Sequence, residues 1–123
     1  MKDILVRIGG EGGEGVISCG EMLTTALARS SYEVYTFRTY PAEIKGGPAM
    51  FQVRSSDELV LSQGKLADIL VTFNEEAYKL HGHTVRDGGL LVYDPAHYQA
   101  EGNFEGYAVP LEQITLDVVK SKL

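Results

Sequence analysis

Five glycines fall within the seven residues Gly9-Gly10-Glu11-Gly12-Gly13-Glu14-Gly15, and that density of glycine can do one kind of chemistry. Glycine permits tight turns and lets backbone approach a ligand closely. Where such a turn opens a helix, unpaired N–H groups and the helix dipole favour an anion. Gly10, Gly12 and Gly15 satisfy the G-x-G-x-x-G spacing of a pyrophosphate-holding turn. A phosphate-bearing coenzyme is the ligand this pattern calls for. The same glycines would also suit close packing of a strand on a helix, and Glu11 and Glu14 would repel a phosphate unless their side chains turn away.

A second candidate is Lys45-Gly46-Gly47, a cation beside glycines in the loop that follows Tyr40-Pro41. An NAD site wants an acid about 20 residues beyond the glycine turn to bind the ribose hydroxyls. Tyr35 to Thr39 offer none, and Arg38 stands there instead. It suits the extra phosphate of NADP or of the coenzyme A ribose, or else it is a solvated strand-end arginine. Cys19 is the only cysteine, which excludes an internal disulfide and any cluster or structural zinc held by several thiolates of this chain. Its place on the apolar stripe of the first helix assigns it to the core. His81 and His83, two residues apart, face different sides of a helix and read as surface histidines rather than metal ligands. No nucleophile, base and orienting group assemble, so neither a catalytic residue nor a metal is assigned to this chain.

The elements that must position these residues follow from periodicity. Ile4, Leu5, Val6 and Ile8 form a buried strand stopped by glycines. Val16, Cys19, Met22, Leu23, Ala26 and Leu27 make the apolar stripe of a helix over residues 15 to 30. Alternation predicts strands over 33 to 40 and 49 to 54, with no helix between them. A buried strand follows over 67 to 73, then a helix capped by Asn74 and running to Arg86, with Glu75 and Glu76 in its first turn. Asp87-Gly88-Gly89 reads as a turn into a strand over 90 to 94, and Tyr107-Ala108-Val109 as a further extended segment. The last helix starts at Leu111 and turns Ile114, Val118 and Leu123 inward. Together these predict an α/β layered domain with a mixed, mainly parallel sheet and a Rossmann-like glycine turn. If the first two strands are parallel neighbours, their carboxyl ends bring the glycine turn and the Lys45 loop to one rim, where open α/β sheets bind ligands.

The chain's 123 residues suit one domain, and 44% hydrophobic with 23% charged residues is an ordinary globular composition. A formal net charge of -6 argues against general attraction to nucleic acid. No signal-peptide pattern and no run long enough to span a bilayer is present, and with one cysteine the expected setting is a reducing cytoplasm. The final helix has only begun where the residues stop, which suggests part of something longer.

Three blocks carry a family resemblance. Gly10-Glu11-Gly12-Gly13-Glu14-Gly15-Val16, Tyr40-Pro41-Ala42-Glu43-Ile44-Lys45-Gly46-Gly47 and Val53-Arg54-Ser55 resemble, in order and spacing, the gamma domain of 2-oxoacid:ferredoxin (acceptor) oxidoreductases. Ala67-Asp68-Ile69-Leu70-Val71 and Asp87-Gly88-Gly89 extend the resemblance over nearly the whole chain. It implies a fold like domain III of pyruvate-ferredoxin oxidoreductase, with residues 1–123 forming one gamma-type catalytic domain. In the family that domain continues past this point and is often fused to the alpha subunit, the fused 2-oxoglutarate type being the most similar.

The resemblance further implies a component, inactive alone, of an enzyme that oxidatively decarboxylates a 2-oxoacid such as pyruvate, 2-oxoglutarate or ketoisovalerate to its acyl-coenzyme A. Electrons go to ferredoxin. Thiamine diphosphate, Mg and iron-sulfur clusters would lie in the partner alpha and beta subunits. The gamma domain would supply the coenzyme A site and subunit contacts, with Gly12, Gly13, Glu14 and Gly15 at the phosphates and Lys45, Gly46 and Gly47 completing the pocket. Glu14 departs from the neutral Gln of many relatives. Other readings are an assembly module of the same fold that binds no coenzyme, and an NADP-binding domain.

Overall fold

The computed structural model describes residues 3–39 and 47–122. In chain order its elements are β1 (Asp3–Glu11), α1 (Val16–Arg29), β2 (Glu33–Thr39), β3 (Pro48–Ser56), β4 (Ala67–Thr72), α2 (Glu75–His81), a 3-10 turn (Gly82–Thr84), β5 (Val85–Tyr93), β6 (Glu105–Ala108) and α3 (Leu111–Lys122). The strands join in one sheet of order β2-β3-β1-β4-β5-β6. β3 runs antiparallel to both β1 and β2, whereas β1, β4, β5 and β6 pair in parallel. The sheet is therefore mixed and mainly parallel, as the sequence predicts.

One expected neighbour relation is corrected. β1 and β2 share a direction but are not adjacent, because β3 lies between them and pairs with both, Glu11 facing Pro48 at the rim. Gly47, just ahead of β3, still stands at the edge where the glycine turn begins, since β3 starts where β1 ends. A second correction concerns Asp87-Gly88-Gly89, which lies inside β5 rather than before it. Pairing with β4 slips between Ala67–Val85 and Ile69–Leu90, and Gly88 takes up the irregularity at φ 75. The helix before it is accordingly shorter than expected, ending at His81.

α1 covers the face of β1, β2 and β3 formed by Ile8, Ala49, Phe51 and Val53, with Leu23 and Leu27 packed against it. Its buried line passes through Val16 and Gly20, not through Cys19, which is exposed, or Met22, which is 65% exposed. The rotation has a steric cause. A Cβ on Gly20 would come within 2.1 Å of the Phe51 ring, so the glycine marks where β3 presses hardest on the helix.

The opposite face holds Arg7, buried among neutral oxygens. Its Nε and Nη2 donate to Gln52 Oε1 at 2.9 and 2.6 Å, Nη2 also reaches the Lys65 carbonyl at 3.1 Å, and Nη1 donates to the Thr84 hydroxyl. Burial holds the guanidinium below its ordinary pKa. His81, at the end of α2, is half-buried rather than on the surface. Burial first, then the charge of Arg7 and the proximity of His83, depress its pKa.

α3 departs from expectation. Ile114 and Val118 are 48% and 49% exposed, and Leu116 and Val119 are 46% and 48% exposed, so its apolar residues are not turned into the sheet. Leu123 lies outside the described residues. No described helix is long and apolar enough to cross a membrane.

Two outcomes are expected. Gly20→Ala forces either the helix or Phe51 to move and should lower stability by about 1–3 kcal/mol in urea denaturation; an unchanged midpoint would show that α1 sits farther from β3. For His81 the unfolded value is 6.5 and the folded one lies below it, so the unfolded chain takes up the proton first. Its contribution is fully present above that unfolded value and is lost as pH falls toward the folded one. His81→Gln should flatten the decline in urea midpoint between neutral and mildly acid pH; an identical decline in both proteins would acquit His81.

Candidate functional site

α1 and α2 leave the carboxyl ends of β1 and β4 on opposite faces of the sheet, so the crevice between these two neighbouring strands is its topological switch point. Two glycines make that closeness possible. A Cβ on Gly9 would meet His81 Cδ2 at 3.0 Å and Ala77 Cβ at 3.1 Å, both on α2. A Cβ on Gly10 would meet Val16 Cγ2 of α1 at 2.8 Å and Phe73 Cβ at 3.1 Å. For these two positions the packing explanation of the glycine-rich turn holds.

Gly13 and Gly15 are different. Both have positive φ, 95 and 88, and added Cβ atoms would meet nothing within 4 Å. Backbone turned this way exposes amides that a side chain would otherwise cover. Gly15 is the N-cap of α1, with no side-chain capping hydrogen bond and no acidic residue in the first turn. A 14-residue helix thus starts with no side-chain cap, an arrangement that suits an anion. α2 contrasts with it, since the Asn74 side chain accepts from the Ala77 amide at 2.8 Å and closes that end, as the sequence predicts.

Gly12 joins the turn to the neighbouring loop, its amide donating to the Gly47 carbonyl at 2.9 Å. Gly47, at φ 78, stands at the start of β3 and so beside the turn. Lys45 and Gly46, the other expected members of the pocket, lie outside the described residues.

Glu14 is exposed beside the turn, and its carboxylate is engaged on the α2 side. Its Oε1 accepts the Glu11 amide at 2.5 Å and the Asn74 Nδ2 at 2.8 Å, over Gly10, whose Cβ would lie 3.1 Å from the same oxygen. The carboxylate is tied to the start of α2 through Asn74. Sequence reasoning saw Asn74 only as a helix cap. Its second hydrogen bond, across 60 residues to Glu14, leaves no local signature in the chain.

A cleft of about 700 Å³ opens beside the turn, lined by Gly13, Glu14, Gly15, Cys19, Met22 and Phe73 and by Leu111, Thr115 and Leu116 of α3. Cys19 faces this cleft instead of the core. At its far end Asp94, His97 and Glu112 converge, their ligand-type atoms all within 4.8 Å. Asp94 is 2% exposed, and its oxygens accept the amides of Ala96 and Glu112 at 2.9 Å each. Burial alone would push its carboxyl up, and these amides together with His97 outweigh it and hold the pKa below the usual range. His97 reaches Glu112 at 3.1 Å. A carboxylate holding the start of α3, with the His97–Glu112 contact beside it, accounts for the trio. Arg38 is engaged by Glu21 at 2.8 Å and lies over the Phe51 ring, 4.7 Å from its centre, so it is not presented to a ribose phosphate.

Comparison with known proteins adds the following. The family model described as pyruvate ferredoxin/flavodoxin oxidoreductase matches residues 5–123. A 2-oxoacid:ferredoxin oxidoreductase subunit alpha from Sulfolobus sp is 36% identical over 89 residues, 72% of this chain and 14% of that protein. Ketoisovalerate oxidoreductase subunit VorA from Methanothermobacter marburgensis is 31% identical, covering 93% of this chain and 24% of its own length. The chain therefore spans a quarter or less of these relatives. Among solved structures, the 2-oxoglutarate:ferredoxin oxidoreductase from Magnetococcus marinus, with 2-oxoglutarate, coenzyme A and succinyl-CoA bound, superposes with a TM-score of 0.87 at 41% identity, over 97% of this chain and 22% of that one. The gamma subunit of a keto/oxoacid ferredoxin oxidoreductase from Geobacter sulfurreducens shares the fold, with a TM-score of 0.83 at 22% identity over 97% of this chain and 67% of the other.

Proposed function

From the premise that the chain belongs to the pyruvate ferredoxin/flavodoxin oxidoreductase family, we propose that residues 1–123 are a gamma-type domain contributing the coenzyme A site of a 2-oxoacid:ferredoxin oxidoreductase. The observation that carries this reading is the uncapped start of α1, preceded by Gly13 and Gly15 at positive φ and joined to Gly47 through the Gly12 amide. The coenzyme A and succinyl-CoA of the 41% identical Magnetococcus marinus structure support it.

In this proposal the backbone amides at Gly13 and Gly15 hold the coenzyme's phosphates, Gly12, whose amide is taken by the Gly47 carbonyl, ties the turn to the neighbouring loop, Lys45 supplies the positive charge, and Gly46 and Gly47 let that loop close on the ligand. Coenzyme A supplies the thiol that receives the acyl group when the 2-oxoacid loses carbon dioxide and an electron pair passes to ferredoxin. With Cys19 as its lone cysteine, the chain leaves the iron-sulfur clusters, and with them thiamine diphosphate and Mg, to alpha- and beta-type partners. The half-exposed apolar side chains of α3 support contact with such partners, and the setting proposed is cytoplasmic. The engagement of Arg38 by Glu21 and Phe51 disfavours the NADP reading.

Calorimetry on the complex assembled with its partners tests the site. Lys45→Ala should weaken coenzyme A binding by about tenfold or more, the loss of one charge-assisted contact. Equal affinity together with undiminished acyl-coenzyme A formation would remove Lys45 from the site. Thermal shifts of the same complex with coenzyme A and with NADP, side by side, should respond to the first alone.

A further inference from the structure

We propose that Glu14 is a positioning residue which, with Asn74, forms a latch across the switch point and fixes the shape of the glycine turn. The idea rests on the coenzyme reading above and gives Glu14 a role through the turn's backbone.

The latch is built from both ends. The Glu14 amide donates to the Glu11 carbonyl at 3.0 Å while the Glu11 amide donates back to Glu14 Oε1 at 2.5 Å, closing residues 11 to 14 into a ring. The same oxygen accepts Asn74 Nδ2 at 2.8 Å, and Asn74 Oδ1 accepts the Ala77 amide at 2.8 Å. One amide side chain therefore caps α2 and grips the turn that precedes α1. A backbone bond from the Phe73 amide to the Gly9 carbonyl, 2.9 Å, runs alongside.

Space has been left for this arrangement. A Cβ on Gly10 would crowd the carboxylate oxygen at 3.1 Å. The carboxylate oxygen that takes both hydrogen bonds thus lies over Gly10. A charged acceptor held by two donors makes stronger hydrogen bonds than a neutral one. Gln at this position keeps an Oε1 in the same place, so it should preserve the latch in weaker form, and Ala should release it.

The test uses the assembled complex carrying Glu14→Gln, Glu14→Ala, Asn74→Ser, which keeps a capping oxygen but loses the donor, and the Ala/Ser double variant. Glu14→Ala and Asn74→Ser should each weaken coenzyme A binding about tenfold, or ~1.4 kcal/mol. The double variant should be no worse than either, because both cut one link. Glu14→Gln should stay within about threefold of the parent, keeping a neutral hydrogen bond. Hydrogen exchange at the Glu11 amide, measured without coenzyme, should quicken in Glu14→Ala and in Asn74→Ser. Equal or tighter binding by Glu14→Ala, additive losses in the double variant, or a Gln variant as weak as Ala would each overturn the latch. Should the parent complex bind no coenzyme A, the functional reading fails by itself. The exchange measurement then decides alone, and unchanged exchange in both single variants overturns the proposal.

Discussion

Two helices close on the end of one strand from opposite sides, and neither can do so over a side chain. Gly9 gives way to Ala77 and His81 of α2, and Gly10 gives way to Val16 of α1 and to the Glu14 carboxylate. Because the two residues are consecutive in β1, they face opposite sides of the sheet. The crevice between β1 and β4 is narrow for this reason, and the two helix starts lie close enough for Asn74 to bridge them. Any larger residue at either position would spread the helices and separate the groups that the crevice gathers.

From this closeness follows an electrostatic asymmetry. α2 begins with its dipole already answered, by Asn74 at the cap and by Glu75 and Glu76 in the first turn, while α1 begins with neither a side-chain cap nor an acid. The acidic residue nearest to the start of α1 in sequence, Glu14, is held over Gly10 by two donors. In a chain of net charge -6, an anionic ligand gains nothing from the overall field and must be drawn by local amides and a local cation. Of these two helix starts, the one at α1 is left without a cap and the one at α2 is closed.

Much of this was legible in the residues. The apolar spacing of α1 gave its limits to within one residue at either end, and Asn74 ahead of two glutamates marked the start of α2. The place of β3 was not legible, because alternation over residues 49 to 54 says that a strand exists but carries no information about its neighbours. Counting apolar residues set the stripe of α1 through Cys19 and Met22 and passed over Gly20, yet it is the missing side chain there that admits Phe51. Gly88 read as a turn because positive φ is common to turns and to bulges within strands. In the glycine turn itself, sequence could name the residues but not divide them into spacers, Gly9 and Gly10, and open positions, Gly13 and Gly15. That division depends on which helix stands over each, a long-range fact.

Beneath the crevice, Arg7 explains how the rim keeps its shape. A guanidinium that is 6% exposed and meets only neutral oxygens costs stability relative to an apolar residue of similar size. What it gains is reach: one side chain ties β1 to Gln52 of β3, to the Lys65 carbonyl before β4 and to Thr84 after α2, and Gln52 in turn holds the Gln63 carbonyl at 2.6 Å. An apolar substitute would fill the space without fixing these segments in register, since apolar contact is not directional. After burial, this cation is the next cause of the lowered pKa of His81, which packs against Gly9. Arg7 thus stiffens the base of the turn and adds to the electrostatic pressure on His81.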